Sequence, residues 1–370
     1  MRSNAYCGNL LWQSSLTLPA RNLLLVLGVL LTGSLGAAER FETLFSWGAV
    51  KDEACARAYA EIGVTDVFAR GAEGFAAAKK YGMRAYCSFF PCGRNVQGVT
   101  AEERKYLDYI NAEDLRQQNV PADERGKAKA RRLAESKCQF GGERVTSLDM
   151  CPEPLPCFLS DTNCVKSVAA LEKVLKDNPD ADGVAFDYIG YTNLHSCECE
   201  GCKARLRTWL TGKGLEENET SRNRFFREAL VGYINALVDE AKRIRPGIKV
   251  ALHVYPAFMP DPLYGKDLKA GFVQETVAWY FAWPESKIAA HTRKILDAPH
   301  HPGSVSVPFV GLEANPESAL PLKTPERLEA ELKLVLANGG TRLAVCNGDD
   351  MLKPGYAEIF RKYAKGERMP

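Results

Sequence analysis

The sequence predicts an α/β fold, a single (β/α)8 TIM barrel with a long cysteine-containing insertion after its third strand. Three observations predict it. Short apolar runs alternate with amphipathic helical stretches, the order that builds a parallel sheet. Eight such runs can be counted between Phe41 and Asn347, the number that closes into a barrel. Several of them end in an acid or an aromatic residue, and the carboxyl ends of barrel strands are where this fold carries its chemistry.

The elements follow in order. The stretch 41–48 reads as the first strand, ending at Trp47, and Asp52 can cap the helix that closes at Gly63. The second strand, 66–70, ends at Arg70, and the helix 74–81 closes at Gly82. The third strand is 83–90. Residues 92–163 break the period: they hold four cysteines, and a charge-rich part is followed by Gly141-Gly142 and several prolines. An insertion there would decorate the carboxyl face, and a structureless loop of that length would be unusual, so cysteine staples are expected. The period resumes with a helix over 165–176 and a fourth strand over 183–188. Helices over 203–210 and 224–245 follow, the second stopped by Pro246-Gly247. Strands five, six, seven and eight are placed at 248–255, 276–281, 305–312 and 342–347. Helices over 286–296 and from Thr324 to Asn338 separate the last three, the latter with Pro325 in its first turn, and 356–364 closes the chain.

Composition bounds the function. The chain has 370 residues, 46% of them hydrophobic, with a formal net charge of +2. That is globular, and it gives no reason to expect a nucleic-acid partner. Residues 1–38 are different: a polar lead, an apolar core over 23–31, and Gly36-Ala37-Ala38 before Glu39. This is the layout of a cleavable secretory signal peptide with its site near Ala38, and the apolar core is short for a membrane span. The expectation is a secreted or periplasmic protein with one barrel domain over 39–370 and no stable membrane insertion after cleavage.

Cysteine usage agrees with export. Of 12 cysteines, seven fall between Cys138 and Cys202, and Cys197, Cys199 and Cys202 are spaced C-x-C-x-x-C. Disulfides are the first reading in an oxidising compartment. A structural zinc held by the three thiolates and one further ligand is the alternative, free thiols the third. A catalytic metal is not expected, since the chain has five histidines with only His253 at a strand end; no cofactor is required for the chemistry expected here.

The strand ends assemble a consistent set: Trp47, Arg70, Asp187, Tyr188, Tyr191, His253, Tyr255, Trp283, Glu285, Glu313, Asn347 and Asp349. Aromatic rings stack on the apolar faces of sugars, and carboxylates, amides and histidine meet their hydroxyls. Glycoside cleavage needs two carboxyl groups flanking the bond. Asp187 closes the fourth strand and Glu313 follows the seventh, so these two are the expected catalytic pair, with Glu285, Asp349 and Asp350 as reserve partners. The remaining residues of the set would bind the substrate. A barrel that binds carbohydrate without cleaving it is the alternative, and a metal-dependent hydrolase a weaker one.

The run Val184-Ala185-Phe186-Asp187-Tyr188-Ile189, with Cys197 to Cys202 behind it and a helix ending in Arg245-Pro246, resembles a glycoside-hydrolase-like TIM-barrel family of secreted bacterial proteins. The resemblance covers 181–257 closely and the rest only in architecture. It implies that Asp187 is the catalytic or substrate-binding acid. The chain departs from the family in having Gly190 where an arginine is common.

Overall fold

Eight strands close into one parallel barrel in chain order: β1 (Thr43–Val50), β2 (Asp66–Ala69), β3 (Arg84–Phe89), β4 (Gly183–Ile189), β5 (Lys249–Val254), β6 (Phe272–Ala278), β7 (Val305–Gly311) and β8 (Arg342–Cys346). Closure is by β8 against β1, with Thr43 opposite Arg342 and Phe45 opposite Ala344. The helices around it are α1 (Glu53–Glu61), α2 (Gly71–Lys80), α3 (Asp161–Asp177), α4 (Glu200–Lys213), α5 (Glu219–Ile244), α6 (Glu285–Asp297), α7 (Pro325–Ala337) and α8 (Tyr356–Tyr363). This computed structural model describes residues 40–91, 159, 161–189, 200–254, 265–279, 283–316 and 322–364. Most of the expected insertion over 92–163, and the whole of the leader over 1–38, lie outside the described residues. No described helix is long and apolar enough to cross a membrane.

Local chemistry explains the element ends. The Asp52 carboxylate accepts from the Cys55 backbone N–H at 2.8 Å and caps α1. The Thr324 hydroxyl accepts from the Arg327 N–H and caps α7, with Pro325 in the first turn. Helix α5 begins at Glu219, earlier than its apolar period announces, because Asn218 and Ser221 form a reciprocal capping box ahead of the first apolar residue. Its buried face carries Phe226, Leu230, Ile234, Leu237 and Ala241. Arg245, the arginine before Pro246, donates to the carbonyls of Leu175, Asn178 and Ala181. It therefore caps the carboxyl end of α3 and fixes the approach to β4.

The barrel interior is filled by side chains. Near its amino end Arg84 grips Asp66 through two bonds of 2.7 Å and lies over the Phe272 ring. Above them Phe45 packs on Phe68 and Tyr86. Tyr86 explains Gly183 at the start of β4: a Cβ there would lie 2.2 Å from the tyrosine ring. At the end of β1, Gly48 is needed for the same kind of reason, since its Cβ would lie 1.9 Å from the Tyr59 hydroxyl.

Strand six is the main correction to the sequence reading. Observed β6 starts at Phe272 and ends at Ala278, not at 276–281. The polar pair Gln274-Glu275 hides it from an apolar pattern, yet both residues are buried. Gln274 accepts from the Trp47 indole N–H at 2.6 Å across the barrel. Glu275 accepts from the Ser306 hydroxyl of β7 at 2.6 Å. The Gln274 amide oxygen and the Glu275 carboxylate thus each have a partner, the condition for burying them.

Burial pushes Glu275 up to about 7, against the lowering effects of the Ser306 bond and the Lys294 charge. The folded protein holds this proton more tightly than the unfolded chain. The group therefore takes away stability as pH rises from the ordinary carboxyl range to about 7. Glu275→Gln is expected to flatten that part of the stability profile. Denaturant unfolding at about pH 5 and about pH 8 reads the difference, and an unchanged slope would contradict the burial argument.

Candidate active site

Asp187 occupies the carboxyl-terminal part of β4, and its side chain is 14% exposed. Its oxygen Oδ1 lies 3.2 Å from Nδ1 of His253 on β5. The other ring nitrogen, Nε2, lies 3.0 Å from the hydroxyl of Thr276 on β6. Three neighbouring strands thus hold a continuous polar line across the barrel mouth. The imidazole is 1% exposed and stacks on Phe309 of β7, with centroids 3.7 Å apart and planes 12° apart. Trp279 and Trp47 flank it, at 5.8 Å and 5.6 Å. Burial pushes His253 below the usual histidine value, against the opposing pull of the Asp187 bond and charge. The ring is therefore neutral near pH 7.

Glu313 lies two residues beyond β7 and is 3% exposed. Its Oε1 accepts from the Asn315 N–H at 2.8 Å. The backbone beneath it is held by continued pairing past the strand ends: Leu312 N–H donates to Cys346, and Asn347 N–H donates to Leu312 at 3.0 Å. Asp350 accepts from the Ala314 N–H at 2.8 Å and pairs with Lys353. Two strand ends and the turn after β8 therefore fix the chain on which Glu313 is carried.

The same rim holds a buried ionic cluster. Lys323, 3% exposed, donates to the carbonyls of Trp279 and Gly311 and to Glu331 of α7 at 2.7 Å. Arg327 bonds the second oxygen of Glu331 at 2.7 Å and reaches the Trp283 carbonyl. Burial pushes Lys323 down and the Glu331 charge pulls it back up. Lys323 thus ties the ends of β6 and β7 to α7, setting Trp279 beside the chain that leads to Glu313.

Both expected acids stand at the carboxyl end of one closed parallel barrel, the common site of catalysis in this fold. The barrel resembles those of glycoside hydrolases. No protein-family model and no curated protein matches the chain. Among solved structures it is similar to the PgaB (BpsB) glycoside hydrolase domain from Bordetella bronchiseptica, with a TM-score of 0.54 and 13% identity, covering 88% of this chain and all of that one. It is similar also to a β-galactosidase from the Antarctic haloarchaeon Halorubrum lacusprofundi, with a TM-score of 0.55, 14% identity and coverage of 87% and 57%. The GH42 β-galactosidase Gan42B from G. stearothermophilus follows, with a TM-score of 0.50, 10% identity and coverage of 83% and 51%. The chain thus spans little more than half the length of the two galactosidases. At these identities the likeness is one of fold.

The other expected site residues are scattered differently. Trp47 is half-buried and meets the His253 ring and Gln274. Arg70 is exposed at the start of α2, where its N–H donates to Val50. Trp283 packs on α6, edge-on to His291 and with the Lys287 ammonium 3.6 Å above its ring. Glu285 is the exposed first residue of α6. Asn347 is half-buried just past β8. Asp349 accepts from the Tyr59 hydroxyl at 2.8 Å, turned toward α1. Tyr191, Tyr255, Cys197 and Cys199 lie outside the described residues, as does the side chain of Tyr188, whose backbone belongs to β4. Cys202 is buried on α4. Among the described residues no cluster of His, Cys, Asp and Glu could hold a metal.

Sequence reasoning missed Thr276, Gln274, Phe309, Trp279's place beside the histidine, and Lys323. The strand-six offset concealed the first two. The spacing Lys323–Arg327–Glu331 was readable as helix-start charges, but nothing in it announces burial.

Proposed function

We propose that the protein is a secreted glycoside hydrolase that cleaves an oligo- or polysaccharide with Asp187 and Glu313 as its two carboxyl groups. The observation that carries this reading is the placement of both acids at one barrel mouth, on strand four and just past strand seven, with Asp187 bonded to a histidine walled by Trp47, Trp279 and Phe309. The likeness to the PgaB glycoside hydrolase domain, whose whole length the chain spans, supports the reaction class. One carboxyl group would protonate the leaving oxygen while the other attacks the anomeric carbon or activates a water. A separation of roughly 5–5.5 Å in the substrate complex would give retention, roughly 6.5–9.5 Å inversion. Export rests on the leader over 1–38, with disulfides, or a structural zinc at Cys197, Cys199 and Cys202, holding the loops above the mouth.

One observation favours a second reading, a barrel that binds sugar without cleaving it. Glu313 is 3% exposed and its carboxylate is engaged by its own loop at Asn315. A panel of oligo- and polysaccharides, assayed for new reducing ends and for binding, separates the two. Release of reducing ends from one glycan class is the expected result. Binding without any release across the panel would favour the second reading.

A further inference from the structure

The sequence places His253 among the residues that would position a sugar. Its burial argues for another task. A ring 1% exposed, stacked face to face on Phe309 and flanked by two indoles, presents little of its surface to a ligand. Both of its nitrogens already face protein groups, Asp187 on one side and Thr276 on the other. We infer that His253 and Thr276 form a positioning relay for Asp187, in which the neutral imidazole donates Nδ1–H to the carboxylate and accepts a hydrogen bond from the Thr276 hydroxyl at Nε2. This rests on the proposed role of Asp187 and assigns it a fixed orientation and the part of hydrogen-bond acceptor.

The assignment follows from donor and acceptor chemistry. A carboxylate only accepts, so the nitrogen facing it carries the hydrogen. A neutral imidazole then has no hydrogen on Nε2, which must accept. The Thr276 hydroxyl is the donor in reach, and its 3.0 Å approach to Nε2 is closer than its 3.4 Å approach to the Val254 carbonyl. An imidazolium would instead need a charge buried among Phe309, Trp47 and Trp279, which burial disfavours. The relay therefore runs hydroxyl to imidazole to carboxylate, one group from each of β6, β5 and β4. Aromatic packing stops the ring from turning, and the two bonds set its tilt, so the carboxylate inherits a fixed orientation.

The test needs no substrate. Nitrogen-15 NMR of the imidazole side chains in the full chain, with the His253 signals assigned by their loss in His253→Gln, reads the tautomer directly. The expected spectrum near pH 7 shows Nδ1 protonated and Nε2 unprotonated. Thr276→Val is expected to move the Nε2 signal and leave Nδ1–H in place. Thr276→Ser is expected to restore it, and Asp187→Ala to abolish the preference for Nδ1–H. A wild-type ring protonated at Nε2 alone, or at both nitrogens, overturns the relay. So does an unchanged Nε2 signal in a folded Thr276→Val protein. On a cleaved glycan, Thr276→Val is expected to lower kcat about 10–100-fold with KM nearly unchanged, the size of effect seen when the outer partners of metal-ligating residues are removed; Thr276→Ser recovers it. A loss confined to KM contradicts the relay. If the NMR result holds while Asp187→Asn retains full activity, the hydrolytic role of Asp187 fails and the tautomer assignment stands.

Discussion

Asp187→Asn is expected to lower kcat by about 10²–10⁴-fold on any glycan the protein cleaves, the range that general acid–base or nucleophilic groups contribute. The substitution removes charge and proton chemistry but little volume. The amide oxygen can still accept from the His253 Nδ1–H, whose present partner is 3.2 Å away. The barrel and its aromatic wall should therefore persist, and sugar binding should change little. The loss belongs in kcat, because in the proposed mechanism the carboxylate would act on the reacting bond rather than on remote hydroxyls. Steady-state kinetics, with binding to the same glycan measured beside it, checks the split. A variant that loses binding and rate together would make Asp187 a substrate ligand.

Glu331→Ala is expected to destabilise the fold by about 3–5 kcal/mol, the cost of removing one partner from a buried ion pair. The Glu331 side chain is fully buried and the Lys323 side chain 1% exposed, so the ammonium left behind would have lost its counter-charge without gaining water. Arg327 would lose its carboxylate partner at the same stroke. Because Lys323 also holds the carbonyls of Trp279 and Gly311, loosening it should disturb the rim near Glu313, and rate should fall with stability. The control is Lys323→Met combined with Glu331→Leu, which removes both charges and is expected to cost less than Glu331→Ala alone. Equilibrium unfolding in denaturant reads all of these. A loss below about 1 kcal/mol for Glu331→Ala would place the cluster with solvent-screened pairs.

Much of the architecture was legible because barrel strands are buried on both faces and read as short apolar runs. Val184-Ala185-Phe186 is such a run, and the closed eight-stranded order follows from counting them. Asp187 was legible for the same reason, as an acid interrupting an apolar segment. Strand six was displaced because Gln274 and Glu275 are buried polar residues whose partners, Trp47 and Ser306, lie far away in sequence. No local pattern records a partner on another strand. The Thr276–His253–Asp187 line escaped notice for the same reason, since its members come from three strands. Trp283 and Asp349 entered the expected set through proximity to strand ends, and their orientation toward α6 and α1 depends on helix packing. Arg245 shows the opposite case. It was noticed as a motif, and only the structure supplies its reason, the open carbonyls at the end of α3.

The most direct test of the central claim is a mutant cycle on one cleaved glycan with Asp187→Asn, Glu313→Gln and the double variant. Two carboxyl groups that act on the same bond are a unit, so each single substitution is expected to cost nearly as much kcat as both together. Folding and glycan binding, measured on all three, should match the wild type. A wild-type rate in either single variant would contradict the assignment of Asp187 and Glu313 as the catalytic pair.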